Sequence, residues 1–334
     1  MFNIYKLLFF LSLMMGTFIT ISSYSWLGMW MGLEINLLSI IPLMSNTKNM
    51  MSNEASLKYF ITQALASTIL LFSIILLSFN IYELWEYQFK LMLNSSLLTK
   101  MGAAPFHFWF PEVMEGINWM NCLLLLTWQK IAPFILIMHN KMELFLSLII
   151  LFSMFVSGIM GINQTSMRKI LAYSSINHIA WMISALMFME SIWMIYFITY
   201  SIISLNIILI LNKFKIFMYS QLFSNMNFNI SMKIFFILNF FSLGGLPPFL
   251  GFMPKWLTIQ MMISNNFIML SMIMVIMTLI TLYFYIRITF STLMLNMNEL
   301  NFNLKKIKKT WLILILNFFS LTGLVMITLI FNFY

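Results

Sequence analysis

Five side chains could move charge in a chain otherwise built to exclude it. Glu34, Lys100, Lys130 and Lys255 fall within or beside long apolar stretches, and His178 falls inside another. Glu34 lies eight residues after Trp26 and ten before Met44; Lys100 is nine after Leu91, and Lys130 nine after Asn121. A charge at the centre of a membrane helix costs about 2.5–3.5 kcal/mol on insertion scales, so four unpaired ones would cost about 10–14 kcal/mol, as much as a typical protein's whole stability. Such groups must pair, face water or protein, or become neutral. One acid and three bases at similar depth predict an ion pair between Glu34 and Lys100. Lys130 and Lys255 are then left without an acid at that depth, and an enclosed lysine can exist as amine or ammonium. Groups that gain and lose a proton inside a membrane are what a proton relay needs. His178, in Ser174-Ser175-Ile176-Asn177-His178, belongs with them, because imidazole changes charge near neutral pH. Static readings stay open: a fixed pair tying two helices, snorkelling lysines, a satisfied core histidine. His107, beside Pro105, reads in the same two ways, and Glu112 and Glu115 are expected in a solvated loop.

These residues need helices that cross a bilayer. The 334 residues are 62% hydrophobic and 8% charged, against about 25% charged in soluble domains. A mean hydropathy of +0.94 leaves no polar surface for a water-facing fold. A span takes about 20 apolar residues, and the pattern predicts an all-α integral membrane protein of about eleven transmembrane helices. They run near Leu7–Ser23, Trp26–Met44, Tyr59–Phe79, Leu91–Phe110, Asn121–Met138, Leu144–Gly161, Leu171–Met189, Ile192–Leu211, Ile234–Ile263, Phe267–Ile288 and Trp311–Phe333. Trp26, Trp85, Trp109, Trp119 and Trp311 lie near span ends, as in an interfacial aromatic belt.

Two of these spans share a motif. The fourth contains Gly102, Pro105, Phe106, Pro111 and Glu112; the ninth contains Gly245, Pro248, Phe249, Pro254 and Lys255, at a constant offset of 143 residues. Proline within a helix removes a backbone hydrogen bond and clashes with the preceding turn, so both spans are predicted to be broken. They lie five spans apart and therefore cross in opposite directions, the pattern of inverted-repeat transporters. The chain divides accordingly into residues 1–141, a first five-helix repeat, 142–290, a second, inverted one, and 291–334, a basic loop with a C-terminal transmembrane helix.

Charge orients the chain. Of 18 Lys and Arg, 13 fall on the side of the N-terminus and of the loops after even-numbered spans: Lys6, Lys48, Lys58, Arg168, Lys169, Lys213, Lys215, Lys233, Arg287, Lys305, Lys306, Lys308 and Lys309. The other side holds Lys90 and Lys141. That asymmetry puts the N-terminus on the inner side, and it accounts for the net charge of +9 without nucleic acid binding. One cysteine, Cys122, three scattered histidines and no aspartate exclude a disulfide framework, a cysteine-ligated cluster and a structural zinc site within the chain. No glycine-rich nucleotide loop is visible. The abundance of Phe, Ile, Met and Asn fits AT-rich codons and hints at an organellar gene.

Several stretches resemble a known family. Trp30-Met-Gly-Leu-Glu34-Ile-Asn36, Glu54-Ala-Ser-Leu-Lys58-Tyr-Phe60, Lys100-Met-Gly-Ala-Ala-Pro-Phe-His-Phe-Trp109 and Leu126-Thr-Trp-Gln-Lys130 are similar to segments of the mitochondrial NADH dehydrogenase subunit 2 family. So are Arg168-Lys-Ile-Leu-Ala-Tyr-Ser-Ser175, Leu243-Gly-Gly-Leu-Pro-Pro-Phe249 and Pro254-Lys255-Trp256. The resemblance runs nearly end to end. It implies an antiporter-like, proton-translocating membrane-arm subunit of NADH:ubiquinone oxidoreductase (respiratory complex I) in the mitochondrial inner membrane. By it, Glu34, Lys100, Lys130 and Lys255 form a proton path, His178 matches a polar position near it, and the chain is a shortened form lacking three leading helices. The N-terminus then faces the matrix and the C-terminus the intermembrane space. No cofactor is expected in this chain, since FMN, iron–sulfur clusters and ubiquinone belong elsewhere in that complex. The implied partners are membrane-arm subunits on both sides and membrane lipids, cardiolipin among them. The rival readings are a stand-alone cation/proton antiporter and a structural scaffold subunit.

Overall fold

The structure, a computed structural model, describes residues 4–46, 49–79, 85–222, 230–294, 314–318, 320–324 and 328. Without water to satisfy backbone groups, a lipid-embedded chain closes its hydrogen bonds within helices, and the protein is all-helical. In chain order the helices are α1 (Ile4–Ser22), α2 (Trp26–Met44), α3 (Met50–Ser78), α4 (Glu86–Met101), α5 (Trp109–Gly116), α6 (Trp119–Leu126) and α7 (Trp128–His139). They continue with α8 (Glu143–Ile162), α9 (Met167–Phe188), α10 (Glu190–Phe214), α11 (Ile230–Gly244), α12 (Phe252–Ser264) and α13 (Ile268–Met294). Residues 314–318 and 320–324 are also helical. Among the described residues, eight stretches are long and apolar enough to cross a membrane: α1, α2, α3, α6 with α7, α8, α9, α10 and the Ile268–Phe290 part of α13. The protein is an integral membrane protein.

Eight is fewer than the eleven expected. The shortfall falls where helices are interrupted, because neither α4 and α5 nor α11 and α12 is long enough alone, and on the predicted Trp311–Phe333 span. Most of that span lies outside the described residues, as do Lys48 and the basic run Lys305, Lys306, Lys308 and Lys309. Three local expectations are corrected. Lys233, assigned to a loop, is buried in the first turn of α11. Trp119, assigned to an interfacial belt, is 2% exposed, because its ring fills the core at the start of α6. Glu112 and Glu115 stand on α5 rather than in a loop.

The chain forms two compact units, Met1–Ser153 and Met154–Tyr334. In the first, α1 and α2 pack backbone to backbone. A Cβ on Gly32 would lie 2.5 Å from Thr20 Cγ2 and 2.8 Å from the Gly16 carbonyl, and one on Gly16 would lie 3.0 Å from the Gly32 carbonyl. Small residues let membrane helices approach this closely. Gly32→Val is therefore expected to destabilise the α1–α2 pair by about 1–3 kcal/mol through overpacking. Thermal dissociation of the detergent-solubilised protein measures it; an unchanged midpoint contradicts the close packing. Helix α3 packs against α2, α4 and α5, and α4 against α7. In the second unit α9 is the central helix, its apolar window entirely buried against α10, α12 and α13.

Both proline-rich segments break, and they do so with one backbone pattern. Gly102 ends α4 at φ +76°, its N–H bonded to the Leu98 and Thr99 carbonyls, while Ala103 N–H also reaches Leu98 O. Gly245 ends α11 at φ +80°, with N–H to Phe241 O and Ser242 O, while Leu246 N–H reaches Phe241 O. Each bond recurs 143 residues later. A left-handed glycine closing a helix in this way leaves the chain free to leave the axis. Pro105 and Pro248 follow in the turns, each in a cis X–Pro bond. Pro111 and Pro254 sit in the first turns of α5 and α12, where a missing N–H costs nothing.

Candidate functional site

A third interruption was not foreseen. The predicted span Asn121–Met138 is split at Thr127, whose φ of −115° and ψ of −73° separate α6 from α7. The Thr127 hydroxyl bonds back to Leu123 O at 2.7 Å, and Lys130 N–H reaches Thr127 O at 3.2 Å rather than a carbonyl four residues back. The one sequence signal was Pro133, inside α7, which denies a hydrogen bond to the carbonyl of Gln129. Each of the three lysines predicted within spans thus stands beside an interruption. Lys100 lies in the last turn of α4, Lys130 in the first turn of α7, and Lys255 in the first turn of α12.

In the first unit Lys130 is 1% exposed, with its Nζ 5.7 Å from the centroid of the Phe110 ring. Desolvated cation–π contacts of this kind are worth about 2 kcal/mol. Phe110 belongs to α5, so the far side of the first break faces the lysine of α7. Lys100 is also buried. The expected ion pair with Glu34 is not formed: the two attract each other through space without direct contact. The reason is helical geometry, since α3 packs on both α2 and α4. Gln63 of α3 donates to the Lys100 carbonyl at 3.5 Å, and Trp30 of α2 donates to Ser67 O of α3 at 3.2 Å. Glu34 Oε1 is buried with no hydrogen-bond partner among the described residues. Two residues on, Asn36 accepts from Gln129 Nε2 at 2.8 Å. That bond ties α2 to α7 beside Lys130, and sequence reading did not single out either amide. Trp109 Nε1 donates to Thr99 O at 3.0 Å, a second donor on the carbonyl that also accepts the Gly102 N–H at the end of α4.

In the second unit Lys255 does what Trp109 does in the first. Its Nζ donates to Leu243 O at 3.1 Å and to Gly244 O at 2.8 Å, the last carbonyls of α11. A cation there is favoured by the negative end of the helix dipole. A Cβ on Gly245 would lie 2.7 Å from Lys255 Cδ and 2.9 Å from Nζ, so glycine is required twice over, for φ and for space. The ammonium also lies 5.9 Å from the ring centroid of Trp181 on α9. One turn earlier on α9, His178 Nδ1 is 2.9 Å from the Tyr196 hydroxyl of α10. The Tyr200 ring stands 5.0 Å from the imidazole, centroid to centroid. Asn177 Nδ2 donates to Thr281 Oγ1 of α13 at 3.1 Å. The structure thus gathers Lys255 and His178 around Trp181, and it adds two tyrosines that sequence reading missed.

Position 112 is the counterpart of 255 across the shared offset, and there the charge is reversed. Glu112 turns outward and bonds Lys58 Nζ at 3.0 Å, and Lys58 also pairs with Glu54 at 3.1 Å. A carboxylate cannot donate to helix-end carbonyls; an ammonium can. His107, in the turn after Pro105, is buried with Nδ1 unpartnered among the described residues. Among those residues no group of three or more His, Cys, Asp or Glu is placed to hold a metal ion.

Buried lysines at interrupted helices define a class of membrane subunit, and comparison agrees. The chain belongs to the family described as NADH:quinone oxidoreductase/Mrp antiporter, whose model matches residues 23–281. Within it the similarity narrows to one subunit. The chain is 52% identical to NADH-ubiquinone oxidoreductase chain 2 of Anopheles gambiae over 331 residues, 97% of each chain. It is 53% identical to the same chain of Aedes aegypti, again over 97% of each. Among solved structures, a chain of respiratory complex I from Thermus thermophilus has a TM-score of 0.82 at 23% identity, covering 87% of this chain and 71% of that one. A chain of the Mrp complex from Dietzia sp. has a TM-score of 0.75 at 16% identity, covering 84% and 59%. These two share the fold.

Proposed function

We propose that the chain is a proton-translocating membrane-arm subunit of NADH:ubiquinone oxidoreductase. The observation that carries this reading is the burial of Lys100, Lys130 and Lys255 at three helix interruptions, in a chain of this family. An interruption supplies what a mid-membrane proton carrier needs: free backbone carbonyls, room for water, and a helix end whose dipole acts on the amine. Charge change in a neighbouring subunit alters the field between Glu34 and Lys100. Lys100 then passes a proton toward Lys130, and Lys255, with His178 beside it, loads or discharges at the other end.

The finer arrangement follows the same reading. Eleven spans result if α4 with α5, α11 with α12, and a C-terminal helix each cross once. The hydrogen-bond pattern repeated at Gly102 and Gly245 supports two five-helix repeats of opposite orientation. The basic asymmetry puts the N-terminus in the matrix and the C-terminus in the intermembrane space of the mitochondrial inner membrane. Other membrane-arm subunits flank the chain, lipids including cardiolipin cover the rest, and the redox cofactors lie in other subunits.

The likeness to the Mrp chain favours one rival, a stand-alone cation/proton antiporter. Purification separates the two, since an antiporter would not co-migrate with NADH:quinone activity. Against a scaffold role the test is Lys100→Arg. Arginine keeps the charge but does not deprotonate, so NADH-driven acidification of proteoliposomes should fall by about fivefold or more. Wild-type pumping in an assembled Lys100→Arg complex would favour the scaffold.

A further inference from the structure

We infer that Tyr196 is a relay hydroxyl, passing protons between His178 and the Tyr285 side of the second unit; this rests on the proton-translocating reading above. The Tyr196 side chain is 2% exposed. Its hydroxyl has one hydrogen-bond partner among the described residues, His178 Nδ1 at 2.9 Å. A buried hydroxyl that donates to nothing costs about 1–3 kcal/mol. The O–H therefore donates to Nδ1, and the neutral imidazole carries its proton on Nε2.

That arrangement reverses when His178 is charged. Both ring nitrogens of imidazolium are donors, so the phenol oxygen must then accept from Nδ1–H, and its own proton must point elsewhere. The structure offers a receiver. Tyr200 of α10, whose ring lies 5.0 Å from the imidazole, and Tyr285 of α13 are neighbours of Tyr196. The Tyr285 hydroxyl is buried and stands within reach of the Ser174 side chain of α9. A buried hydroxyl beside one that must turn is the second half of a two-position switch.

The transfer balances. A proton arriving from the Tyr285 side binds the Tyr196 oxygen as the original phenolic proton moves to Nδ1. One O–H bond forms, one breaks, and one N–H bond forms. The imidazolium then releases its Nε2 proton on the far side. One proton has entered at the phenol and one has left the ring, and the net charge of both groups is restored. The ring is left with its proton on Nδ1, donating to the phenol oxygen; a tautomer change from Nδ1–H to Nε2–H, which carries no net proton back along the path, restores the first state.

The test is Tyr196→Phe in the intact complex, reconstituted in proteoliposomes. Phenylalanine keeps the ring and its contact with His178 and removes only the hydroxyl. Proton pumping should fall severalfold and its solvent deuterium isotope effect should change, with assembly unaltered. His178→Leu is run beside it. If both variants pump normally, His178 is not on the path and the underlying reading fails there. If His178→Leu is impaired and Tyr196→Phe is not, the relay hydroxyl alone is overturned. Should Tyr196→Phe fail to assemble, Tyr285→Phe decides: impaired pumping supports the relay, and normal pumping overturns it.

Discussion

An assembled complex carrying Lys130→Met is expected to pump protons at least about tenfold more slowly, a loss of ~1.4 kcal/mol or more in barrier terms. Methionine matches the unbranched stem of lysine and suits an apolar site. The position is 1% exposed, with the side chain against Phe110. Packing therefore survives while the proton-carrying atom is removed. The reading is sharpened by Lys130→Arg, which keeps a cation over the Phe110 ring but cannot become neutral. A relay fails in both variants; a structural cation–π contact fails only with methionine. The measurement is protons moved per NADH oxidised, followed with a pH-sensitive dye. Wild-type coupling in Lys130→Met would remove this lysine from the path.

Gly245→Ala is expected to lower pumping about fivefold below the strain-matched variant Gly102→Ala. Both glycines have φ near +80°, so an alanine at either costs about 1–2 kcal/mol of backbone strain. Their surroundings differ. A methyl at 102 would meet the Phe110 side chain at 3.1 Å, whereas one at 245 would meet Lys255 Cδ at 2.7 Å and Nζ at 2.9 Å. The second pushes the ammonium off the Leu243 and Gly244 carbonyls and leaves those carbonyls open. Equal pumping in the two variants would mean that the contact between Lys255 and the helix end has no part in transport.

The breaks were readable because their chemistry is local. Glycine at a left-handed position and proline two or three residues on dictate a helix end whatever packs around it. The interruption at Thr127 was not readable, since it has no glycine and its proline lies six residues downstream inside the next helix. Enclosure was also readable: Lys100, Lys130 and Lys255, singled out as charges in apolar stretches, are all buried. Direction around the helix was not. Hydropathy does not say that α3 packs on both α2 and α4, and so Glu34 and Lys100 were paired on depth alone. Tyr196 and Tyr200 were invisible for another reason. In a chain with 35 Phe and 12 Tyr, an aromatic on an apolar helix carries no signal until its hydroxyl is seen against His178. Gln129 and Asn36 similarly gain meaning only from meeting across two helices.

The complete enclosure of α9 has a consequence for how the protein is made. This helix carries Ser174, Ser175, Asn177, His178 and Ser184, all buried, and its mean hydropathy of 1.3 is the lowest of the eight long apolar helices. Its partners α10, α12 and α13 are all synthesised after it. A nascent chain that has delivered α9 but not these would present an amide, an imidazole and several hydroxyls to acyl chains. The insertion machinery must therefore hold α9 in a polar or proteinaceous shelter until α13 arrives, and a chain stopped short of Ile268 would expose a surface that quality-control proteases can grip.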